Sequence, residues 1–333
     1  MMRPRWRHLL LSAACLWSAG ALAADDGLPA GPLIMGYYES WAELPVATAS
    51  VTQLANLPAS LDIVALGFAR PDLKFAGTDL HDTGLQVPFD GAELAEAVAA
   101  LRVRAPHMKI LLAIGGSGYA TTWGQYAPDA VARLVAALGL DGVDLDYEPA
   151  APQCGRHTAD AGVTITCATD AIWADLIRRT RLVLPRPAIL ALPAWSVGAY
   201  GTGKFQNEPP QSPFTGSMLW LGRLPEAKAV DLVSVMAYEA GPSFDPLRSI
   251  AAYRAIWPGR LMLGALVPPD HTGGVVYSVE TLKRYTAAVS TDPLGGMMVY
   301  ALQSEPPGGA SLAAPDGTLS ARTICEQLHR TGC

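Results

Sequence analysis

The chain holds 333 residues, with 24 basic against 30 acidic side chains, 50% hydrophobic residues and 16% charged ones. Charge this sparse beside so much apolar material argues against disorder, and the formal net charge of −6 argues against a partner recognised through its phosphates, so no nucleic acid is expected. The length suits one large β/α domain, and neutral sugars are the largest substrate class that the charge leaves open.

Residues 1–24 read as an export signal. Arg3, Arg5 and Arg7 form a positive start, 9–19 is apolar, and Ala21-Leu22-Ala23 sets small residues at the −3 and −1 positions of a cleavage site. The apolar run falls short of the ~18 residues a membrane span needs, no later stretch reaches that length, and no membrane partner is expected. Cleavage removes three Arg and no acid, which moves the net charge from −6 to −9. The mature domain, 25–333, is expected as a monomer in the periplasm or secreted from the cell.

Four cysteines remain in it, an even number in an exported chain. Nearest-neighbour pairing, the simplest of three connectivities, gives two structural disulfides, Cys154–Cys167 and Cys325–Cys333. Closing the first loop, about 14 residues, stabilises by roughly 3 kcal/mol. Neither a CxxC spacing nor a nearby pair of histidines is present, so no metal is expected. Gly115-Gly116-Ser117-Gly118 lacks the Lys-Ser/Thr of a phosphate loop, Tyr119 stands where a serine-hydrolase elbow needs Gly, and no cofactor is expected.

Along the mature chain, strand-like apolar runs at 33–38, 61–68, 109–114, 142–147, 188–193, 232–238, 261–266 and 296–302 alternate with amphipathic stretches such as 91–103, 129–138, 171–183 and 278–288. Near-continuous apolar strands alternating with helices predict a parallel sheet covered by helices. Eight such units predict a single-domain (β/α)8 TIM barrel of the α/β class. An open doubly wound sheet would carry a glycine-rich phosphate loop after its first strand, and here Glu39-Ser40-Trp41 follows instead. About thirty residues separate the seventh and eighth strands, too few for a large α/β insertion. Barrel geometry places active groups at the C-terminal ends of strands.

The fourth strand ends Asp141-Gly142-Val143-Asp144-Leu145-Asp146-Tyr147-Glu148. A period of two puts Asp144, Asp146 and Glu148 on one face and Val143, Leu145 and Tyr147 on the other. Three acids facing one way inside an apolar strand are costly, and at least one keeps its proton near neutral pH. A retained proton is what a general acid needs. Glu148, last on the strand, is best placed to reach a substrate, with Asp146 as its partner. Acids projecting together from one strand stand side by side, not across a scissile bond. The nucleophile therefore comes from another strand, a water, or the substrate itself.

The run 141–148 matches the DxxDxDxE signature of family 18 glycoside hydrolases, the chitinases and endo-β-N-acetylglucosaminidases. Gly36-Tyr37-Tyr38-Glu39-Ser40-Trp41 resembles that family's first strand, Ile114-Gly115-Gly116 its third, Met236-Ala237-Tyr238-Glu239 its sixth and Gly296-Met297-Met298-Val299-Tyr300 its eighth. The resemblance implies a (β/α)8 barrel that cleaves β-1,4-linked N-acetylglucosamine in chitin or chitooligosaccharides by a substrate-assisted retaining mechanism. Glu148 would protonate the glycosidic oxygen. The substrate's acetamido oxygen would attack the anomeric carbon, Asp146 would orient that acetamido group, Asp144 would tune Asp146, and Tyr238 would hydrogen-bond the carbonyl. Tyr37, Gly115, Gly116, Met236, Glu239 and Tyr300 would line the sugar site. The short connection between the last two strands implies an open groove and endo cleavage. Ala113, Glu239 and Tyr300 depart from the family's usual Ser, Asp and Trp.

Three further residues are expected at substrate: Trp41, after the first strand, Trp195, at the end of the fifth, and Gln303, after the eighth. A Gly/Pro-rich loop follows Trp195 with Tyr200, Phe205, Phe214 and Trp220, which either stack on sugars or pin the loop down. The rival substrate is the chitobiose core of an N-glycan. The rival class is a non-catalytic chitin-binding lectin on the same barrel, against which the presence of Glu148 argues.

Overall fold

In the computed structural model, residues 27–159 and 162–333 are described; the expected leader, 1–24, lies outside them. The elements run β1 (Leu33–Glu39), β2 (Ile63–Ala69), α1 (Gly91–Arg104), β3 (Lys109–Gly115), α2 (Pro128–Ala137), β4 (Gly142–Asp146), β5 (Cys154–Ala159), β6 (Gly162–Cys167), α3 (Thr169–Val183), β7 (Ile189–Trp195), β8 (Leu232–Met236), α4 (Pro246–Arg254), β9 (Arg260–Leu266), α5 (Val279–Val289), β10 (Gly296–Tyr300) and α6 (Gly317–Gln327). Strands β1, β2, β3, β4, β7, β8, β9 and β10 close into one parallel barrel in that order, β10 pairing back onto β1.

Side-chain alternation explains the apolar strands. Leu33, Met35, Ile63, Ala65, Leu111, Ala113, Ile189, Ala191, Leu232, Met262 and Met298 fill the barrel interior. Their neighbours Ile34, Tyr38, Val64, Leu66, Ile110, Leu112, Leu190 and Val233 pack outward under the helices. Both faces of each strand are buried, so both must be apolar. The helices begin where their sequences say they should. Asp90 accepts from the Ala92 and Glu93 amides at 2.8 and 3.0 Å while Glu93 accepts from the Asp90 amide, a capping box for α1. Pro128 and Pro246 open α2 and α4, where a missing N–H costs nothing.

The barrel departs from eight equal β/α units in two connections. Between β1 and β2, and between β7 and β8, the chain makes only short 3-10 turns. The first carries Pro45 and Pro58 with several β-branched residues, and the second carries Pro209, Pro210 and Pro213 among glycines; both compositions disfavour a continuous helix. Tyr200, Phe205 and Trp220 are buried in that second loop, so they pin it down. The stretch 154–167, expected as a plain loop, is an antiparallel hairpin of β5 and β6 whose ends, Cys154 and Cys167, are disulfide-bonded. Cys325 and Cys333 form the second bridge. Only α5 stands between β9 and β10, so there is no large insertion. Among the described residues, no helix is long and apolar enough to cross a membrane.

One device recurs at the base of the barrel. Asp62, Asp141 and Asp231 each stand just before a strand and accept the amide of the preceding barrel strand: Ile34 at 2.7 Å, Ile110 at 2.8 Å and Leu190 at 2.9 Å. Each also meets arginine: Arg330, Arg102, and the pair Arg181 and Arg186. The first acid of the signature is therefore a strand clamp, at the opposite end of the barrel from Glu148. Asp231 is the most enclosed of the three, its side chain 3% exposed. Removing one partner of a buried ion pair strands the other, at about 3–5 kcal/mol. Asp231→Ala is expected to lower the urea midpoint accordingly with an unchanged slope.

Candidate active site

At the C-terminal mouth of the barrel, a cavity of about 350 Å³ opens above the carboxylates, within the range of small-ligand sites. A larger surface depression, about 570 Å³, lies between residues 73–82 and α2, away from these acids, so volume alone does not mark the site. Strand ends and the residues just beyond them supply the walls of the mouth: Tyr37 from β1 and Trp41 after it, Gly115 from β3, Asp146 from β4 and Glu148 after it, Met236 from β8 with Tyr238 and Glu239 after it, and Tyr300 from β10. Gly116 also lines it.

Five wall residues were not anticipated: Phe68, Gln86, Ser117, Gly118 and Tyr119. Phe68 escaped the parity argument because the β2–β3 register shifts between Leu66 and Ala69, and such a bulge re-aims a side chain. Its place at the C-terminal end of a barrel strand was the available signal. Two expected contacts stand outside this wall. Trp195 stacks on Phe214 with ring centroids 4.0 Å apart. Gln303 uses its amide on the β1 backbone, accepting from the Glu39 N–H at 2.9 Å and donating to the Glu39 carbonyl at 3.1 Å.

The rings form a continuous aromatic wall. Trp41 lies near-parallel to Phe68, centroids 6.1 Å apart, and Phe68 to Tyr37 at 5.8 Å. Tyr37 meets Tyr300 edge-on at 5.6 Å, and Tyr300 stacks with Tyr238 at 6.1 Å. Trp41 leaves 45% of its surface exposed at the rim, an apolar ring face open to a ligand.

Below this wall sit the acids. Asp144 is fully buried, and Tyr37 donates its hydroxyl to Asp144 Oδ2 at 2.6 Å. Ala113 is its neighbour across the β3–β4 pair, an apolar methyl beside a carboxyl. Burial pushes Asp144 up to about 7, the Tyr37 hydrogen bond pulling the other way. Burial first, then the charges of Glu148 and Asp144, hold Asp146 well above the usual carboxylate range. Glu148 is pushed up to about 7 by burial and then by the charge of Glu239, against the pull of the Ser117 amide. A retained proton was expected from crowding of acids on one strand. Desolvation is the larger cause, and the charge that raises Glu148 is that of Glu239, just beyond the end of a different strand.

Local backbone makes this packing possible. Gly115 has φ +106°, and a Cβ there would collide with the Asp146 carbonyl and with the Trp123 ring. The Gly116 amide donates to that carbonyl at 2.9 Å, so the β3 turn grips β4 between Asp146 and Glu148. Only glycine fits both the dihedral and the space.

The arrangement can deliver a proton from Glu148 to a ligand atom in the cavity, backed by a buried acid pair that resists full ionisation. Among the described residues, no Lys, Arg or His lines the cavity and no group of three or more potential metal ligands occurs. A buried acid held protonated opposes folding once its unfolded counterpart ionises. For Asp144 that penalty grows from about pH 4, its unfolded value, to about 7, its folded one. Asp144→Asn is therefore expected to gain stability over the unaltered protein as pH rises through that window, by up to about 1.4 kcal/mol per unit, in urea unfolding measured at several pH values. A flat difference across the window would contradict the burial.

Comparison with known proteins adds the following. Residues 33–252 match the family described as "Glycosyl hydrolases family 18"; the match covers Glu148 and Glu239 and ends before Tyr300. A chitinase of Plasmodium falciparum is 31% identical over 128 residues, which is 35% of this chain and 32% of that protein, so the chain matches about a third of the curated relative's length. Among solved structures, a family GH18 chitinase from Chromobacterium violaceum superposes with a TM-score of 0.61 at 13% identity, covering 91% of this chain and 85% of that one. A Group IV chitinase from Ostrinia furnacalis gives 0.59 at 13%, covering 90% and 100%. A Cycas revoluta chitinase in complex with (GlcNAc)3 gives 0.58 at 12%, covering 89% and 99%. At such identities the structural likeness concerns the fold.

Proposed function

The chain belongs to family 18 of the glycosyl hydrolases, and from that premise we propose that it is an exported chitinase, cleaving β-1,4-linked N-acetylglucosamine within the chain and retaining the anomeric configuration. The observation that carries this reading is the carboxyl of Glu148, lining the cavity with its pKa near 7 above two buried acids.

The steps follow from the groups present. Glu148 gives its proton to the glycosidic oxygen as the bond to the anomeric carbon breaks. The acetamido oxygen of the same sugar forms a bond to that carbon, giving an oxazolinium ion. Asp144 keeps its proton, and Asp146, ionised beside the developing positive charge, accepts the acetamido N–H and offsets that charge. Tyr238, whose phenol burial holds well above its usual range, stays protonated and donates to the acetamido oxygen. Glu148, now ionised, takes a proton from the incoming water, which opens the ion and restores the acid. The substrate supplies the nucleophile, which suits acids that stand side by side on β4.

Other features favour parts of the reading. The aromatic wall suits the apolar faces of sugar rings, and a cavity without basic side chains suits a neutral chain over an anionic one. The exposed Trp41 rim and the short β9–β10 connection favour entry of the middle of a polymer. The relative captured with (GlcNAc)3 has the same fold. Two disulfides and the leader-like residues 1–24 favour an oxidising compartment outside the cytoplasm.

Hydrolysis of chitooligosaccharides, set beside a high-mannose glycopeptide, tests the proposal. Chitooligosaccharides are expected to be cut, with the β-anomer released first by NMR and Glu148→Gln slower by about 10³-fold. Because Glu148 acts in its protonated form, the rate is expected to fall as pH rises past about 7. Cleavage of the glycopeptide alone would move the substrate to N-glycans. Binding without turnover by the unaltered protein would make it a lectin, and early release of the α-anomer would contradict retention.

A further inference from the structure

Glu239 has an unusual backbone. Its φ is +51°, a left-handed conformation that side chains other than those of Asn, Asp and Gly rarely adopt. Local sequence does not account for it; the loop after β9 does. Asp270 Oδ2 accepts the Glu239 amide at 2.8 Å. Asp270 Oδ1 accepts the Thr272 amide at 2.8 Å and the Thr272 hydroxyl at 2.6 Å. The Thr272 oxygen in turn accepts the Gly241 amide at 3.0 Å. Further along the same loop, the buried Tyr277 hydroxyl donates to the Ala237 carbonyl at 2.6 Å. Three side chains of one loop thus fasten the backbone of 237–241 at three points. A Cβ on Gly274 would stand 2.6 Å from Asp270 Oδ2, so this loop closes tightly around the carboxylate.

The fastened segment carries Tyr238 and Glu239 into the cavity wall, with Glu148 on another side of the same cavity. We infer that Asp270 is a positioning residue: through the Glu239 amide it holds the Glu239 carboxylate toward Glu148, and so governs how firmly Glu148 keeps its proton. Glu239 sits on the exposed rim, where a longer side chain without this anchor would swing into solvent and lose its influence. The charged and titratable groups that line the cavity with Glu148 are Tyr37 from β1, Tyr119 from the turn after β3, Asp146 from β4, Tyr238 and Glu239 from just beyond β8, and Tyr300 from β10. None is basic, so Glu239 is the one rim charge that a shift of the 237–241 segment would move. Asp270 itself stays ionised: burial raises it, but the Thr272 hydroxyl and the amides of Glu239, Thr272 and Gly274 outweigh that and hold it below its ordinary range.

The catalytic consequence rests on Glu148 being the acid proposed above; the geometry does not. The test therefore reads the proton directly. In protein carrying ¹³C-labelled glutamate, the Glu148 carboxyl resonance, identified by its loss in Glu148→Gln, is titrated in the unaltered protein, in Asp270→Ala and in Thr272→Val. Both variants are expected to lower the Glu148 midpoint, Asp270→Ala by about one unit and Thr272→Val by less. Glu239→Gln is expected to lower it as far as Asp270→Ala, and the double variant Asp270→Ala/Glu239→Gln no further than Glu239→Gln alone. Should Asp270→Ala not fold, Thr272→Val carries the comparison. An unmoved midpoint in the Asp270 or Thr272 variant, or shifts that add in the double variant, would overturn the inference. A protein that shows these shifts yet hydrolyses no N-acetylglucosamine chain would overturn the glycosidase reading alone.

Discussion

Carboxyl groups placed in an apolar barrel lose their hydration, and everything above them is arranged around that loss. Charged acids in such surroundings are expensive, and they respond by holding their protons. Asp144 and Asp146 lie at the upper limit of a barrel interior otherwise filled by Leu, Ile, Ala and Met. The Tyr37 hydroxyl is the hydrogen bond given to Asp144, while Asp144 Oδ1 and Asp146 Oδ1 have no hydrogen-bond partner among the described residues. With Ala at 113, the neighbouring strand offers no hydroxyl to share the burden. Glu148 lies higher, half-buried, where the same desolvation is balanced against solvent and against the Ser117 amide. Burial raises all three acids, and at Glu148 the balance leaves an acid poised near neutral pH.

The scaffold holds these acids in place from both ends. At the base, Asp62, Asp141 and Asp231 tie strand to strand with arginine support. At the mouth, the glycine turn after β3 presses against the Asp146 carbonyl, and the loop after β9 fastens the segment after β8. The acids of 141–148 thus divide their labour. Asp141 belongs to the base, whereas Asp144, Asp146 and Glu148 belong to the site, because a strand of this length spans the barrel from one end to the other.

Much of this was legible in the sequence, for physical reasons. A strand buried on both faces must be apolar throughout, so the eight barrel strands stood out, and the acids within one of them were conspicuous. Parity placed Asp144 and Asp146 inward and Leu145 and Tyr147 outward, and the packing agrees. The failures are equally local. A register shift in β2 turned Phe68 into the mouth, against parity. Gln86 and Tyr119 reach the cavity from loops, where no period exists to read. Trp195 sits at a strand end, yet Phe214, from the following loop, takes its ring. Gln303 looked free to bind sugar, but the amide of a Gln can replace a strand partner, and here it does so for Glu39. The identity of Glu239 was visible and its left-handed backbone was not, because Asp270, which holds it, comes from another loop.

The central claim is that Glu148 gives up its proton beside a sugar whose own amide completes the reaction. A crystal structure of the Glu148→Gln protein with a tetramer of β-1,4-linked N-acetylglucosamine would test it most directly. The account predicts one acetamido group folded beneath its ring, its oxygen about 3–3.5 Å from the anomeric carbon, held by Asp146 and Tyr238, with the position 148 amide at the glycosidic oxygen. A sugar chain lying outside the mouth, or an acetamido group pointing to solvent with a protein carboxylate beneath the anomeric carbon, would contradict it.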